Sequence, residues 1–198
     1  WLGGRLAIIQ DDANFLALVE PRSGEVDAIS LPASCDGQRL FDDTRGTKHL
    51  KLDLEGCFAW LDSNGLQFVA LGSGTKPQRE RIVALRFDAD VREVTSMRVV
   101  DASPFYGMLR AVPAFAGSEL NLEGALLRDD VLLLFQRGNG ADTLEQCARN
   151  AIGEISFPQF MRYLEGGSTV PELQGVRTYD LGATLGIPYT FTDAGPSA

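Results

Sequence analysis

The sequence predicts an all-β fold, a β-propeller present as a truncated arc of about three four-stranded antiparallel blades, with short helices in the loops. Two observations predict it. The first is a unit stated twice: Leu52-Asp53-Leu54-Glu55-Gly56-Cys57-Phe58-Ala59-Trp60-Leu61, an Asn64-Gly65 turn and Leu66 through Gly72-Ser73-Gly74 recur as Leu120-Asn121-Leu122-Glu123-Gly124-Ala125-Leu126-Leu127, an Asp129-Asp130 turn and Val131 through Gly138-Asn139-Gly140. The offset is 123 − 55 = 68 at the Glu-Gly pair and 138 − 72 = 66 at the Gly-Xaa-Gly, so the turn is shorter and the unit is the same. Arg79, Leu85 and Phe87 continue the match onto Arg149, Ile155 and Phe157. The second observation is that the segments between turns are short and rich in β-formers, and four such strands in a repeat of about 50 to 70 residues is the pattern of a propeller blade. A β-sandwich is the alternative that many short strands also fit.

The chain is read as a single partial domain over 1–198, with blade repeats at about 1–32, 52–100 and 120–182 and the start of another at 187–198. Trp1-Leu2-Gly3-Gly4-Arg5-Leu6 resembles Trp60-Leu61 through Leu66, so the chain is expected to enter its first unit where an inner strand turns into its neighbour. Strands are expected over 5–10, 14–20 and 25–31, the last two joined by the Pro21-Arg22-Ser23-Gly24 turn. The polar stretch 33–51 reads as a long connecting loop. The second unit carries strands near 55–61, 65–71, 80–87 and 92–100. Ser103-Pro104 reads as a helix N-cap followed by Pro at the first helical position, opening a helix over 105–111 that ends before Pro113. In the third unit, strands are expected near 122–127, 131–136 and 151–157, with a helical turn on the loop 141–149. A helix over 159–164 is closed by Gly166-Gly167, and 176–181 is the outer strand. Residues 188–195 read as the opening strand of a fourth unit.

A chain of 198 residues with 44% hydrophobic residues can bury a core of its own. Its net charge of −9 argues against nucleic acid or an anionic membrane as partner, since phosphates are met by clustered Lys and Arg. Cys35, Cys57 and Cys147 are odd in number and form no CxxC, which suits reduced thiols and a cytoplasmic location. A periplasmic one stays open because the chain begins at Trp1. No apolar run reaches the roughly 18 residues of a membrane span. Cys57 is expected to act as a small hydrophobe within its strand. The oligomeric state is not legible.

In a propeller the innermost strands line a central channel, so equivalent positions converge on one axis. Glu55 and Glu123 are equivalents, and Asp193 falls in the corresponding place of the fourth unit, which makes these three the candidate metal ligands. Converging oxygens favour a hard cation such as Ca²⁺ or another divalent ion. The plainer alternative is that each Glu ties neighbouring blades together. Arg137 or Lys51 could replace a metal, and bridging of the carboxylates by either would make the site structural. Gly72-Ser73-Gly74 and Gly138-Asn139-Gly140, with Arg79, Arg137, Asn139 and Arg149, are the candidate ligand-binding residues at the channel mouth, where they could hold an anionic group of a small molecule. Tight turn geometry accounts for the glycines equally well. There is no GxSxG elbow and one histidine, His49, in the polar loop, so neither a Ser-His-Asp triad nor a His-based zinc site is supported.

The Leu54-Glu55-Gly56-Cys57, Leu71-Gly72-Ser73-Gly74, Asn121-Leu122-Glu123-Gly124, Gln136 through Gly140 and Phe191-Thr192-Asp193-Ala194 stretches resemble an uncharacterised family of bacterial β-propeller proteins. More distantly, the Glu-Gly inner strand is similar to that of gluconolactonase- and phytase-like propellers, and the resemblance implies that Glu55 and Glu123 are calcium ligands. The chain lacks the dense acidic clusters and the catalytic histidine of those enzymes. Two functions follow: a metal-dependent hydrolase, lactonase-like or phosphoesterase-like, with a carboxylate-lined channel, or a non-catalytic propeller that binds a small ligand or a protein.

Overall fold

The computed structural model describes residues 1–91 and 93–195; Arg92, where the strand over 92–100 was expected to begin, and residues 196–198, the end of the expected fourth unit, lie outside the described residues. The chain is mostly β, in four antiparallel sheets, none of them closed. A three-stranded sheet comes first: β1 (Leu6–Ile8), β2 (Phe15–Val19) and β3 (Val26–Ser30). Two four-stranded sheets follow, β4 (Leu54–Asp62), β5 (Gly65–Gly72), β6 (Arg81–Phe87) and β7 (Val94–Asp101), then β8 (Leu122–Arg128), β9 (Val131–Gln136), β10 (Asn150–Ser156) and β11 (Leu173–Tyr179). In all three, strands lie side by side in chain order. A hairpin of β12 (Ala183–Thr184) and β13 (Ile187–Pro188) completes the strands. Helices α1 (Ser103–Arg110), α2 (Pro113–Ala116) and α3 (Phe157–Leu164) occupy the connections, and no described helix is long and apolar enough to cross a membrane.

Strand alternation places the core. On β5 and β6, Phe68, Ala70, Val83 and Leu85 face one way and join Leu16 and Leu18 of β2 in one apolar cluster. Val69, Leu71 and Ile82 face the other way and join Leu132, Leu134, Ala151 and Ile155 of the third sheet, with Phe105, Phe115 and Phe160 of the three helices. The middle sheet is therefore covered on both faces, and its strands read as near-continuous apolar runs. Each large side chain so buried contributes about 2 kcal/mol by leaving water.

The Glu-Gly motif has a definite backbone cause. In the second sheet Leu54 stands opposite Gly72 and Gly56 opposite Leu71, so Glu55 is the extra residue of a β-bulge. In the third, Leu122 stands opposite Gln136 and Gly124 opposite Phe135, which makes Glu123 the extra residue of the same bulge. A bulge re-aims the side chain it carries. The glycine after it admits the next inner strand: a Cβ at Gly56 would lie 2.9 Å from the carbonyl carbon of Gly124, and one at Gly124 would lie 3.0 Å from both the Cβ and the backbone nitrogen of Ala194. The three Glu-Gly-type positions thus stand one against the next.

Several expectations are corrected by the ladders. Because Gln136 is the residue opposite Leu122, it is the equivalent of Gly72, and Arg137 is the equivalent of Ser73; the Gly-Xaa-Gly match taken from the sequence is two residues out of register. The bonds agree, since Ser73 N donates to Asp53 O and Arg137 N donates to Asn121 O. Leu2 bridges Arg5 across Gly3-Gly4, so Trp1 corresponds to Leu61, not Trp60. The three strands expected in the first unit are present as β1, β2 and β3. The helical turn over 141–149 is absent: Thr143 and Asp142 turn the loop by accepting the N–H groups of Gln146 and Ala148. Residues 189–195 form no strand; they run along Gly124 as irregular backbone. Ser103 is the first helical residue and not the cap, because the Asp101 carboxylate accepts both its N–H and its hydroxyl. The capping carboxylate holds the Asp101 pKa low through those two bonds. Helix α2 was not legible, being a single turn that starts at Pro113.

Candidate functional site: an acidic cleft beside the inner strands

Two cavities adjoin at β4. One, of about 770 Å³, is lined by the run from Leu6 to Ala13 that leaves β1, by Glu55 and Cys57 of β4, and by Asp193. The other, of about 440 Å³, is lined by Phe58, Ala59, Ala125, Leu126 and Ala194 among others, and shares Leu6, Ala7, Cys57 and Asp193 with the first. The space thus has an acidic end, carrying Asp11, Asp12, Glu55 and Asp193, and an apolar end between β4 and β8. Burial, then the charge of Asp193, pushes the Cys57 thiol up to about 11, so it is a protonated apolar lining group at neutral pH. Cys35, Cys57 and Cys147 are all free thiols.

Lys51 is the hub of the acidic end. Its side chain is 8% exposed, and its ammonium meets Asp53 at 2.6 Å, Asp12 at 3.0 Å and Asp11 at 3.2 Å. Burial alone would lower its pKa, but the bonds to Asp53 and Asp12 and the charges of Asp53 and Asp11 overcome that and raise it above the ordinary 10.5. Asp53 spends its other oxygen on Arg79, at 2.8 Å, and on the Ser73 hydroxyl, which donates at 2.5 Å. It sits at φ +56°, a left-handed conformation rare outside glycine, and these partners hold it there.

Glu55, two residues on, is different. Among the described residues its carboxylate has neither hydrogen bond nor ion pair. Burial first, and then the charges of Glu123, Asp53 and Asp11 with Lys51 opposing, push its pKa from 4.5 up to about 8. Asp11, Asp53 and Glu55 bring carboxylate oxygens within 4.8 Å of one another, the spacing of a cation site. Both oxygens of Asp53 are already engaged, however, and the Lys51 ammonium stands where an ion would need them.

The remaining sequence-derived residues are distributed as follows. Glu123 is 6% exposed and is held by Arg137 Nη1 at 3.0 Å and by Asn121 Nδ2 at 2.9 Å. Asn139 accepts from the same Asn121 amide at 3.2 Å. Asp193 is exposed beside Glu55 in the acidic cleft and accepts the Ala194 N–H. Arg79 and Arg137 each pair with a carboxylate, Asp53 and Glu123, and the Nε of each is buried without a hydrogen-bond partner. Arg149 is exposed and lines a different cavity, of about 410 Å³, with Asn150, Tyr179 and Tyr189. His49 is exposed and its Nδ1 lies 3.0 Å from Gly46 O. Asp11, Asp12 and Asp53 are the site residues that sequence reasoning passed over, and Ser73, named there within the Gly72-Ser73-Gly74 turn, bonds Asp53. The signal for Asp53 was present, since Asp53 and Glu55, like Asn121 and Glu123, are spaced two apart where the inner strand begins. Asp11 and Asp12 carried no signal beyond ending the first expected strand.

Fold and site together define a mostly β protein of successive antiparallel sheets whose first strands enclose an acidic cleft. The chain belongs to the family described as Family of unknown function (DUF6929), which matches it over residues 1–198. No curated protein and no solved structure matches it.

Proposed function

We propose that the chain is an arc of a β-propeller and that the space beside its inner strands binds a small organic cation without catalysing a reaction on it. The propeller reading rests on the order in which Gly56, Gly124 and Ala194 stand against one another, together with the two-sided burial of the middle sheet. The observation that carries the binding reading is Glu55: a carboxylate unpaired among the described residues and partly buried in the acidic cavity, which the apolar cavity adjoins at Cys57. A ligand with a positive end and an apolar body satisfies both ends at once, and the attraction is stronger for being desolvated.

The metal-dependent hydrolase reading has less to support it. Arg137 pairs with Glu123, and Lys51 is shared among Asp11, Asp12 and Asp53, which leaves Glu55 and Asp193 as the uncommitted carboxylates of the three first considered. The deciding experiment is calorimetric titration with n-butylammonium and with Ca²⁺, on the wild type and on Glu55→Gln. The expected result is butylammonium binding that tightens as pH rises through 8, because Glu55 must give up its proton to pair with the cation, and that is lost in Glu55→Gln. Tight Ca²⁺ binding lost in Glu55→Gln would restore the metal reading and call for a screen on lactones and phosphoesters. Absence of heat with both ligands would remove the cleft as a cation site.

A further inference from the structure

Two asparagines of the chain are followed by glycine, in Asn64-Gly65 and Asn139-Gly140. A glycine in that place opens the asparagine to attack by its own backbone, because no Cβ shields the next peptide nitrogen from the side-chain carbonyl. The two share a dipeptide and are held in opposite ways. Asn64-Gly65 closes the hairpin between β4 and β5: Gly65 is the first residue of β5 and stands opposite Asp62 in the ladder, and the Asn64 N–H donates to the Asp62 carboxylate at 2.7 Å. Its nitrogen must leave a paired turn before it can reach the Asn64 side chain.

Asn139-Gly140 lies past the end of β9 in irregular backbone. Among the described residues the Gly140 N–H donates no hydrogen bond. The Asn139 side chain is exposed; its amide oxygen accepts from Asn121 Nδ2 at 3.2 Å, and its amide nitrogen is unbonded among the described residues. The donor polarises the carbonyl that would be attacked and leaves the departing nitrogen in solvent. Packing demands the glycine as well, since a Cβ at Gly140 would lie 2.7 Å from Glu119 Cβ. A bulkier residue that would slow the attack therefore does not fit.

We propose that Asn139 is a site of spontaneous deamidation, at which the folded protein turns an asparagine into a mixture of aspartate and isoaspartate. The Gly140 nitrogen attacks Asn139 Cγ; the new N–C bond forms as the bond to the amide nitrogen breaks, and that nitrogen leaves as ammonia with the proton from Gly140. Water then opens the cyclic succinimide at either carbonyl. The product carries one more negative charge than the parent. In the aspartate product, a carboxylate competes for the Asn121 amide that also holds Glu123 at 2.9 Å. The inference is independent of what the acidic cleft binds.

The test is to hold the folded protein in mildly alkaline buffer, where loss of the Gly140 amide proton speeds ring closure, and to weigh its tryptic peptides over time. The peptide 138–149 is expected to gain one mass unit and to become a substrate for isoaspartyl methyltransferase. It should do so roughly tenfold faster than the peptide carrying Asn64, the factor that one ladder hydrogen bond of ordinary strength imposes on local opening. In urea the two rates are expected to converge, because the chain then holds neither site. Asn139→Gln, whose longer side chain closes its ring slowly, is expected to lose most of the acidic form seen on ion exchange. Equal rates in the folded protein, a faster Asn64, a difference that survives in urea, or an acidic form undiminished in Asn139→Gln each overturns the proposal.

Discussion

Glu55 and Glu123 occupy one position in two copies of one motif, each the extra residue of a β-bulge followed by a glycine, yet they live in opposite electrostatic settings. Around Glu123 the unit supplies Arg137 and Asn121. The equivalents of those two residues in the second unit are Ser73 and Asp53, which turn to each other. The cations of the second unit, Lys51 and Arg79, are consumed by Asp53, and Glu55 is left with none. A backbone device has been copied while its counter-ions have not, which teaches that a repeated carboxylate is evidence for repeated geometry and not for a shared role.

The largest effect that would sharpen this comparison is removal of the counter-ions. Lys51→Met strips the cation from three carboxylates, with side chains of Lys51 and Asp53 only 8% and 5% exposed, and is expected to destabilise by about 4 kcal/mol in urea unfolding. Arg137→Met strips one carboxylate from a pair whose arginine is 35% exposed, and about 2 kcal/mol is expected. Equal losses would mean that the two units are electrostatically alike after all.

Next come the glycines. An added methyl at Gly56 meets the backbone of β8, which cannot yield without moving a strand, and Gly56→Ala is expected to cost about 3 kcal/mol. At Gly124 the obstacle is the irregular segment at Ala194, which can retreat, so Gly124→Ala is expected to cost about 1 kcal/mol. Chemical denaturation midpoints of the two variants decide it, and a reversed order would show that residues 193–195 are held more rigidly than β8.

The smallest effect is a gain. Glu55 has its folded pKa raised, from 4.5 to about 8, so the fold favours the protonated form. Its contribution is therefore intact below pH 4.5 and is lost as pH rises through 8. Glu55→Gln, which mimics the protonated form, is expected to match wild type at pH 4.5 and to exceed it by about 1 to 2 kcal/mol at pH 9, less than full linkage because solvent in the cleft screens the charge. Glu123→Gln, losing a paired carboxylate, is expected to show the opposite sign. Unfolding free energies at the two pH values separate the cases.

What the sequence by itself determined was periodic and local: the duplicated unit, the eleven strands from β1 to β11, the two-residue turns before Gly65 and Val131, and the glycine that follows each inner glutamate. These are legible because strand alternation, turn residues and a repeat are properties of neighbours along the chain. The tertiary structure alone decided the register of the Gly-Xaa-Gly segments, since a hairpin whose strands are each two residues shorter can be aligned from either end and only the ladder says which residue faces Leu122. It alone decided the site as well. Lys51, at the end of the long loop, reaches Asp11 and Asp12 in the connection between β1 and β2, and whether a carboxylate is paired depends on such interactions in space, which fall off over a few ångströms and have no counterpart in sequence separation.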